Sequence, residues 1–152
     1  MKVFLVLVYV FALQNIGSST ANFTWARNSP IAWEKYLPLI IAYESSNYMW
    51  AQSYKGREHG RGLYQVSEIL LKEYQRLNAD MEWIKPDGLY NTNIARVIAL
   101  WQLRRLESVY YKNDPECFAK CLSAYHGGPE MVRKYGIDTN YVLGVLAGFK
   151  NL

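Results

Sequence analysis

One acid stands where an acid is costly. From Leu37 to Ser46 the chain reads Leu-Pro-Leu-Ile-Ile-Ala-Tyr-Glu-Ser-Ser, with Ile41, Ile40 and Leu37 three, four and seven residues before Glu44. Those offsets share one face of a helix, so Glu44 belongs to the stripe that turns toward the core. A carboxylate there is unfavourable unless it is paired, reached by a solvated cleft, or used in a reaction. Burial disfavours its charged form, which suits a group that must hold a proton near neutral pH and deliver it to a leaving group.

The sequence offers little competing chemistry. It has no Gly-x-Ser-x-Gly, no paired zinc-ligand motif and no phosphate-cradling glycine loop leading into a helix. His59 and His126 are the two histidines, and neither has ligand spacing to Cys117 and Cys121, so neither a metal nor another cofactor is expected. Five tryptophans and thirteen tyrosines supply flat faces with polar tips, which suit sugars, although most of them belong to the core. A two-carboxylate glycosidase needs a second acid beside the bond. The next carboxylates are Glu58, Glu68 and Glu73, and the first aspartate is Asp80. Glu68 and Glu73 fall on a surface helix. Glu58 is the one credible base, yet it sits beside Arg57 and Arg61 in a charge cluster of the kind that usually faces solvent.

The elements that would position Glu44 follow from local signals. Pro38 suits the first helical position, and Ser45, Ser46 and Asn47 are poor interior residues that end the helix. Upstream, Ser29-Pro30 reads as a cap and first turn leading into a short helical piece over 31–36. Residues 47–62 are polar and punctuated by Gly56, Gly60 and Gly62, which predicts a loop with a short β-hairpin. Ser67 caps a helix reaching about Leu77. A long helix runs from about Asn91 to Tyr111, with Ile94, Val97, Ile98, Trp101, Arg105 and Ser108 recurring at helical offsets. Asp114 and Pro115 start another helix, which stops at Gly127-Gly128-Pro129. A short piece over 130–135 and a last helix from about Asn140 to Phe149 complete a mainly α single domain, with a loop or hairpin insert around residues 47–66.

Residues 1–21 read as a signal peptide: Lys2, the uncharged apolar run Val3–Leu13, then a small-residue site at Ser19-Thr20-Ala21. An uncleaved membrane anchor is the alternative, though the run is short for a span. The expected organisation is residues 1–21 as leader, 22–36 as arm and short helix, and 37–152 as the functional domain. The formal charge of +4 loses only Lys2 on cleavage, an excess too mild and too scattered to indicate nucleic acid. Export would place Cys117 and Cys121 in an oxidising compartment, but their spacing on a helix is not ideal for bridging, so disulfide and free thiols both stay open.

Four motifs in order resemble the soluble lytic transglycosylase family, lysozyme-like enzymes related to goose-type lysozyme. They are Glu44-Ser45 with Ala51 and Ser53, Gly62-Leu63-Tyr64-Gln65-Val66, Asn93-Ile94 opening the long helix, and Ala124-Tyr125-His126-Gly127-Gly128-Pro129. The tail Tyr141-Val142 with Val145-Leu146 is similar to the family's closing helix. The resemblance covers about Leu37 to Phe149. Tyr64 departs from the usual Met, His126 from the usual Asn, and Val97 from a frequent Gly. Residues 47–50 also do not follow the usual run.

The resemblance implies an exported enzyme, periplasmic or extracellular, that cuts the glycan strands of peptidoglycan and leaves a 1,6-anhydro end, with Glu44 as acid and then base. It implies substrate contacts from Ser45, Ser53, Tyr64, Gln65 and Tyr125. Ser45 could equally stop the helix, Gln65 could satisfy backbone groups, and the Tyr125 hydroxyl could reach Glu44, substrate or backbone. His126 reads as structural or rim-exposed. Hydrolysis of the goose-lysozyme type, or glycan binding without catalysis in a cell-envelope or secretion assembly, are the alternatives. A monomer is expected.

Overall fold

Helix-forming stretches separated by Gly, Pro and Asn predict a bundle, and a bundle is what the chain forms. The computed structural model describes residues 30–53 and 59–148. The leader and arm, Ser29, residues 54–58 of the loop and residues 149–152 lie outside them. Six α-helices occur among the described residues: α1 (Leu37–Ser45), α2 (Glu68–Leu77), α3 (Thr92–Arg105), α4 (Cys117–Gly127), α5 (Pro129–Tyr135) and α6 (Thr139–Ala147). Strands β1 (Gly60–Arg61) and β2 (Val66–Ser67) form an antiparallel hairpin, with Gly60 opposite Ser67 and Arg61 opposite Val66. Gln52 adds a bridge to Arg61. The β structure is thus confined to the expected insert. None of these helices is long and apolar enough to cross a membrane.

Helix ends follow the side chains at hand. Ser67 caps α2 by accepting from the Leu70 N–H at 3.2 Å. Asn91 caps α3 by accepting from the Asn93 and Ile94 N–H groups. Asp138 caps α6 through the Tyr141 N–H at 3.0 Å. Pro38 is the second residue of α1, not the first. The chain leaves α1 through two consecutive left-handed residues, Ser46 (φ 51°) and Asn47 (φ 62°). Asn tolerates that region better than most residues, and the pair turns the backbone sharply just beyond Glu44.

Helix α4 is central. It buries Cys117, Phe118, Ala119, Cys121, Leu122, Ser123 and Ala124, so it is apolar on nearly every side. Helices α3, α5 and α6 pack around it, and α1 packs on α6. The two thiols lie 3.8 Å apart, buried and within hydrogen-bond reach, with no disulfide between them. Helix α4 begins two residues later than Asp114-Pro115 suggests, because Asp114 instead accepts from the Glu116 N–H and pairs with Lys120 in the turn before it. Trp33 stacks flat on Phe118 at 5.5 Å, and its indole N–H donates to Glu107 at 2.7 Å.

Two expectations need correction at α3. Its buried face runs through Ala95, Ile98, Ala99, Gln102 and Leu103, while Val97 is exposed. Small alanines allow close helix contact, and bulk alone misplaced the stripe. The helix also ends at Arg105 and continues as a wider π-type turn, Leu106–Tyr110, which buries Leu106.

Candidate active site

Helix α1 presents Glu44 as the stripe requires. Leu37 and Ile40 are buried, Ile41 is half-buried, and the Glu44 side chain keeps only 11% exposure. Two other helices supply its polar neighbours. Tyr141 on α6 donates its hydroxyl to Glu44 Oε1 at 2.6 Å. His126 Nδ1, near the end of α4, lies 3.4 Å from the same oxygen. The Tyr141 ring is itself buried, stacked on His126 at 4.3 Å and met edge-on by Tyr43 at 5.0 Å. Burial, and then the charge of Glu44, push ionisation of the Tyr141 hydroxyl far above the ordinary tyrosine range. It therefore remains a hydrogen-bond donor to the carboxylate. Gly144 lies one turn along α6, where any Cβ would run into the Tyr43 ring.

The hairpin loop forms a second framework. Tyr125 donates its hydroxyl to the Tyr64 carbonyl at 2.7 Å, tying α4 to the loop between β1 and β2. Burial first, and the Glu44 charge second, hold that hydroxyl well above the usual tyrosine range. Gln65 sits at φ 48° and donates its side-chain amide to the Ala51 and Gly62 carbonyls at 3.1 and 2.8 Å. Gly62 has φ 73°, and a Cβ there would strike the Leu89 carbonyl, so the turn requires glycine. Ser53 Oγ accepts from the Gly60 N–H at 3.2 Å.

The expected substrate contacts are therefore placed unequally. Ser45 is 7% exposed and donates to the Ile41 carbonyl; Tyr64 is 3% exposed, with its ring in the core. Both face inward, because a helix-end hydroxyl finds the carbonyl four residues back and a bulky ring fills the core. Ser53, Gln65 and Tyr125 are half-buried. Gln65 and Tyr125 take the backbone-satisfying alternatives.

Tyr141 and His126 are the partners that the sequence reading did not place at Glu44. Tyr141 carried a usable signal: it shares a buried face with Val142 and Val145, so its hydroxyl needed a partner. The loop leaving α1 also exposes Tyr48, Met49 and Trp50, with Trp50 5.2 Å from Tyr90.

Several other carboxylates are engaged elsewhere. Glu68 pairs with Arg61 and Glu73 with Arg105, each at 2.8 Å. Glu34 pairs with Arg104 and Glu130 with Arg133. Glu107 accepts from the Ile31 N–H and the Trp33 indole. Asp80, Glu82 and Asp87 are exposed on the far side of α2 in sequence. Glu58 lies outside the described residues. The arrangement holds one sheltered carboxyl group with two ring partners.

No curated protein and no solved structure matches the chain. A family model described as the transglycosylase SLT domain matches residues 22–141, which take in the Glu44 helix, the hairpin, α3, α4 and Tyr141, and the chain belongs to that family.

Proposed function

We propose that this chain is an exported peptidoglycan lytic transglycosylase that cleaves the β-1,4 bond between N-acetylmuramic acid and N-acetylglucosamine. Membership of the transglycosylase family supports the general activity and the peptidoglycan substrate. The observation that carries the residue assignment is the sheltered Glu44, held by the Tyr141 hydroxyl at 2.6 Å.

Glu44 first acts as an acid. Its proton passes to the bridging oxygen, and the C1–O bond breaks. The substrate's own N-acetyl group assists at C1, so no protein nucleophile is required. The resulting carboxylate is stabilised by the Tyr141 hydroxyl, a donor already in position. It then takes the proton of the C6 hydroxyl as that oxygen closes on C1. The product carries a 1,6-anhydro ring, and Glu44 ends protonated as it began. A single carboxyl group suffices in this reading, and Glu68 and Glu73 are held in ion pairs with Arg61 and Arg105. Ser53 is the proposed sugar contact, while Gln65 and Tyr125 hold the loop backbone and Ser45 and Tyr64 brace the walls. The enzyme acts as a monomer in the periplasm or outside the cell, with residues 1–21 as the export signal and no cofactor or nucleic acid.

The test is product analysis on purified cell wall, with wild type and Glu44→Gln side by side. Mass spectrometry should find anhydro-muropeptides from the wild type and none from the variant. Reducing-end muramic acid alone would replace transglycosylation with hydrolysis, and an active Glu44→Gln would remove Glu44 from the chemistry.

A further inference from the structure

Helix α1 meets α6 through two side chains seated on two glycines. A Cβ at Gly144 would lie 2.1 Å from Tyr43 Cε2, and one at Gly148 would lie 3.0 Å from Leu39 Cδ2. Leu39 and Tyr43 are one turn apart on α1, and Gly144 and Gly148 are one turn apart at the end of α6, so each pair shares a helix face. Leu39 is buried and fills the core, whereas Tyr43 keeps 46% exposure. The Tyr43 ring nevertheless reaches across to Tyr141, which it meets edge-on at 5.0 Å with an 83° interplanar angle. Tyr141 precedes Gly144 by three residues and lies on the same side of α6. Its ring is thus held from two directions, by His126 stacked on it at 4.3 Å and by Tyr43 at nearly a right angle. Its hydroxyl reaches Glu44, the residue after Tyr43. Two consecutive residues of α1 therefore hold one side chain of α6, Tyr43 by its ring and Glu44 by its carboxyl group.

We propose that Tyr43 is a positioning residue for the acid: its ring, seated in the hollow over Gly144, holds the Tyr141 hydroxyl on Glu44 Oε1. The proposal rests on the reading of Glu44 as the acid. Edge-to-face ring contacts are directional, so Tyr43 fixes the orientation of the Tyr141 ring as well as filling space. An aliphatic side chain in the same hollow restores volume without that direction. The Tyr141 ring can then tilt, and its hydrogen bond weakens as distance and angle leave their optimum. Ring atoms Cδ2, Cε2 and Cζ of Tyr43 make the close approach to Gly144, so the ring and not the hydroxyl does the positioning. The cost falls on the step that leaves Glu44 ionised, where the Tyr141 donor contributes most, and not on binding of the sugar.

The test is a double-mutant cycle on kcat and KM for cleavage of solubilised peptidoglycan glycan strands. It compares wild type, Tyr43→Leu, Tyr141→Phe and the double variant, with Tyr43→Phe as the conservative control. Circular dichroism and thermal melts on the same samples establish that each is folded, and Tyr43→Met supplies the same cycle if the leucine variant melts below the assay temperature. Tyr43→Leu should lower kcat at least about threefold, with KM within about twofold of wild type. Tyr43→Phe keeps the ring and should retain more than about half of the wild-type kcat. In the Tyr141→Phe background no hydroxyl is left to place, and Tyr43→Leu should change kcat by less than about 1.5-fold. A role in packing alone would cost the same factor in both backgrounds, and that result would overturn the proposal. An unchanged kcat in Tyr43→Leu would do so too, as would a raised KM alone, which would make Tyr43 a sugar contact. If Glu44→Gln is inactive while the cycle is additive, only the positioning role fails. If Glu44→Gln remains active, the proposed function fails with it.

Discussion

Replacing Tyr141 by Phe removes one hydroxyl and leaves its ring. The ring keeps its place between His126 and Tyr43, so the packing of α6 on α1 survives. What is lost is the 2.6 Å bond to Glu44 Oε1. A hydrogen bond to a charged group contributes about 1.5–3 kcal/mol, and one between neutral groups about 0.5–1.5 kcal/mol. Only the difference affects the rate, because the hydroxyl meets a neutral carboxyl group before proton transfer and a carboxylate after it. That difference is about 1–1.5 kcal/mol, or roughly a five- to tenfold loss in turnover at about 1.4 kcal/mol per tenfold. Release of soluble muropeptides from purified cell wall, timed and quantified by mass spectrometry, measures it. Folding is checked by circular dichroism on the same samples. A Tyr141→Phe rate within about twofold of wild type, in an assay where Glu44→Gln is inactive, would refute the claim that this hydroxyl stabilises the ionised acid.

Two further substitutions probe the scaffold. Gly144→Ala drives a methyl group into the Tyr43 ring and should cost about 1–3 kcal/mol, read as a lower melting temperature. Combining it with Tyr43→Ala should destabilise by less than the sum of the two singles. Tyr111→Phe removes a buried hydroxyl that has no partner and should leave stability at pH 7 unchanged or raise it by up to about 1 kcal/mol in urea titrations. Burial, with Cys121 and Asp114 nearby, pushes this phenol up to about 12. Its folded value lies above its unfolded value of about 10, so stability is intact below about pH 10 and declines as pH rises toward about 12. The Phe variant should lack that share of the alkaline decline; an equal decline in both proteins would refute the assignment.

Local pattern revealed α1 and its misplaced carboxyl group, because three apolar residues at helical offsets are enough to orient Glu44. It likewise revealed the Ser67 cap, the helix stop at Gly127-Gly128 and the confinement of β structure to the glycine-punctuated insert. It failed where the answer depends on distant residues. The Tyr141 partner is 97 positions from Glu44, and nothing near either residue names the other. The face of α3 was misread because Ala95 and Ala99 are buried by close approach to neighbouring helices, which side-chain bulk does not reveal. The π-type turn at Leu106–Tyr110 has no plain local cue. Gln65 and Tyr125 were singled out by family motif, but only coordinates show that their polar atoms brace the backbone.

The left-handed pair Ser46-Asn47 separates two jobs along the chain. Before it, Glu44 belongs to a helix packed on α6. After it, Tyr48, Met49 and Trp50 project from a loop that contributes none of the hydrogen-bond partners described for the acid. Glu44 is thus part of the helical frame, while the exposed aromatic surface hangs from it. Under the proposed function, exchanging residues 48–50 would separate any part these exposed side chains play in glycan binding from the chemistry, because the helices keep Glu44 in place.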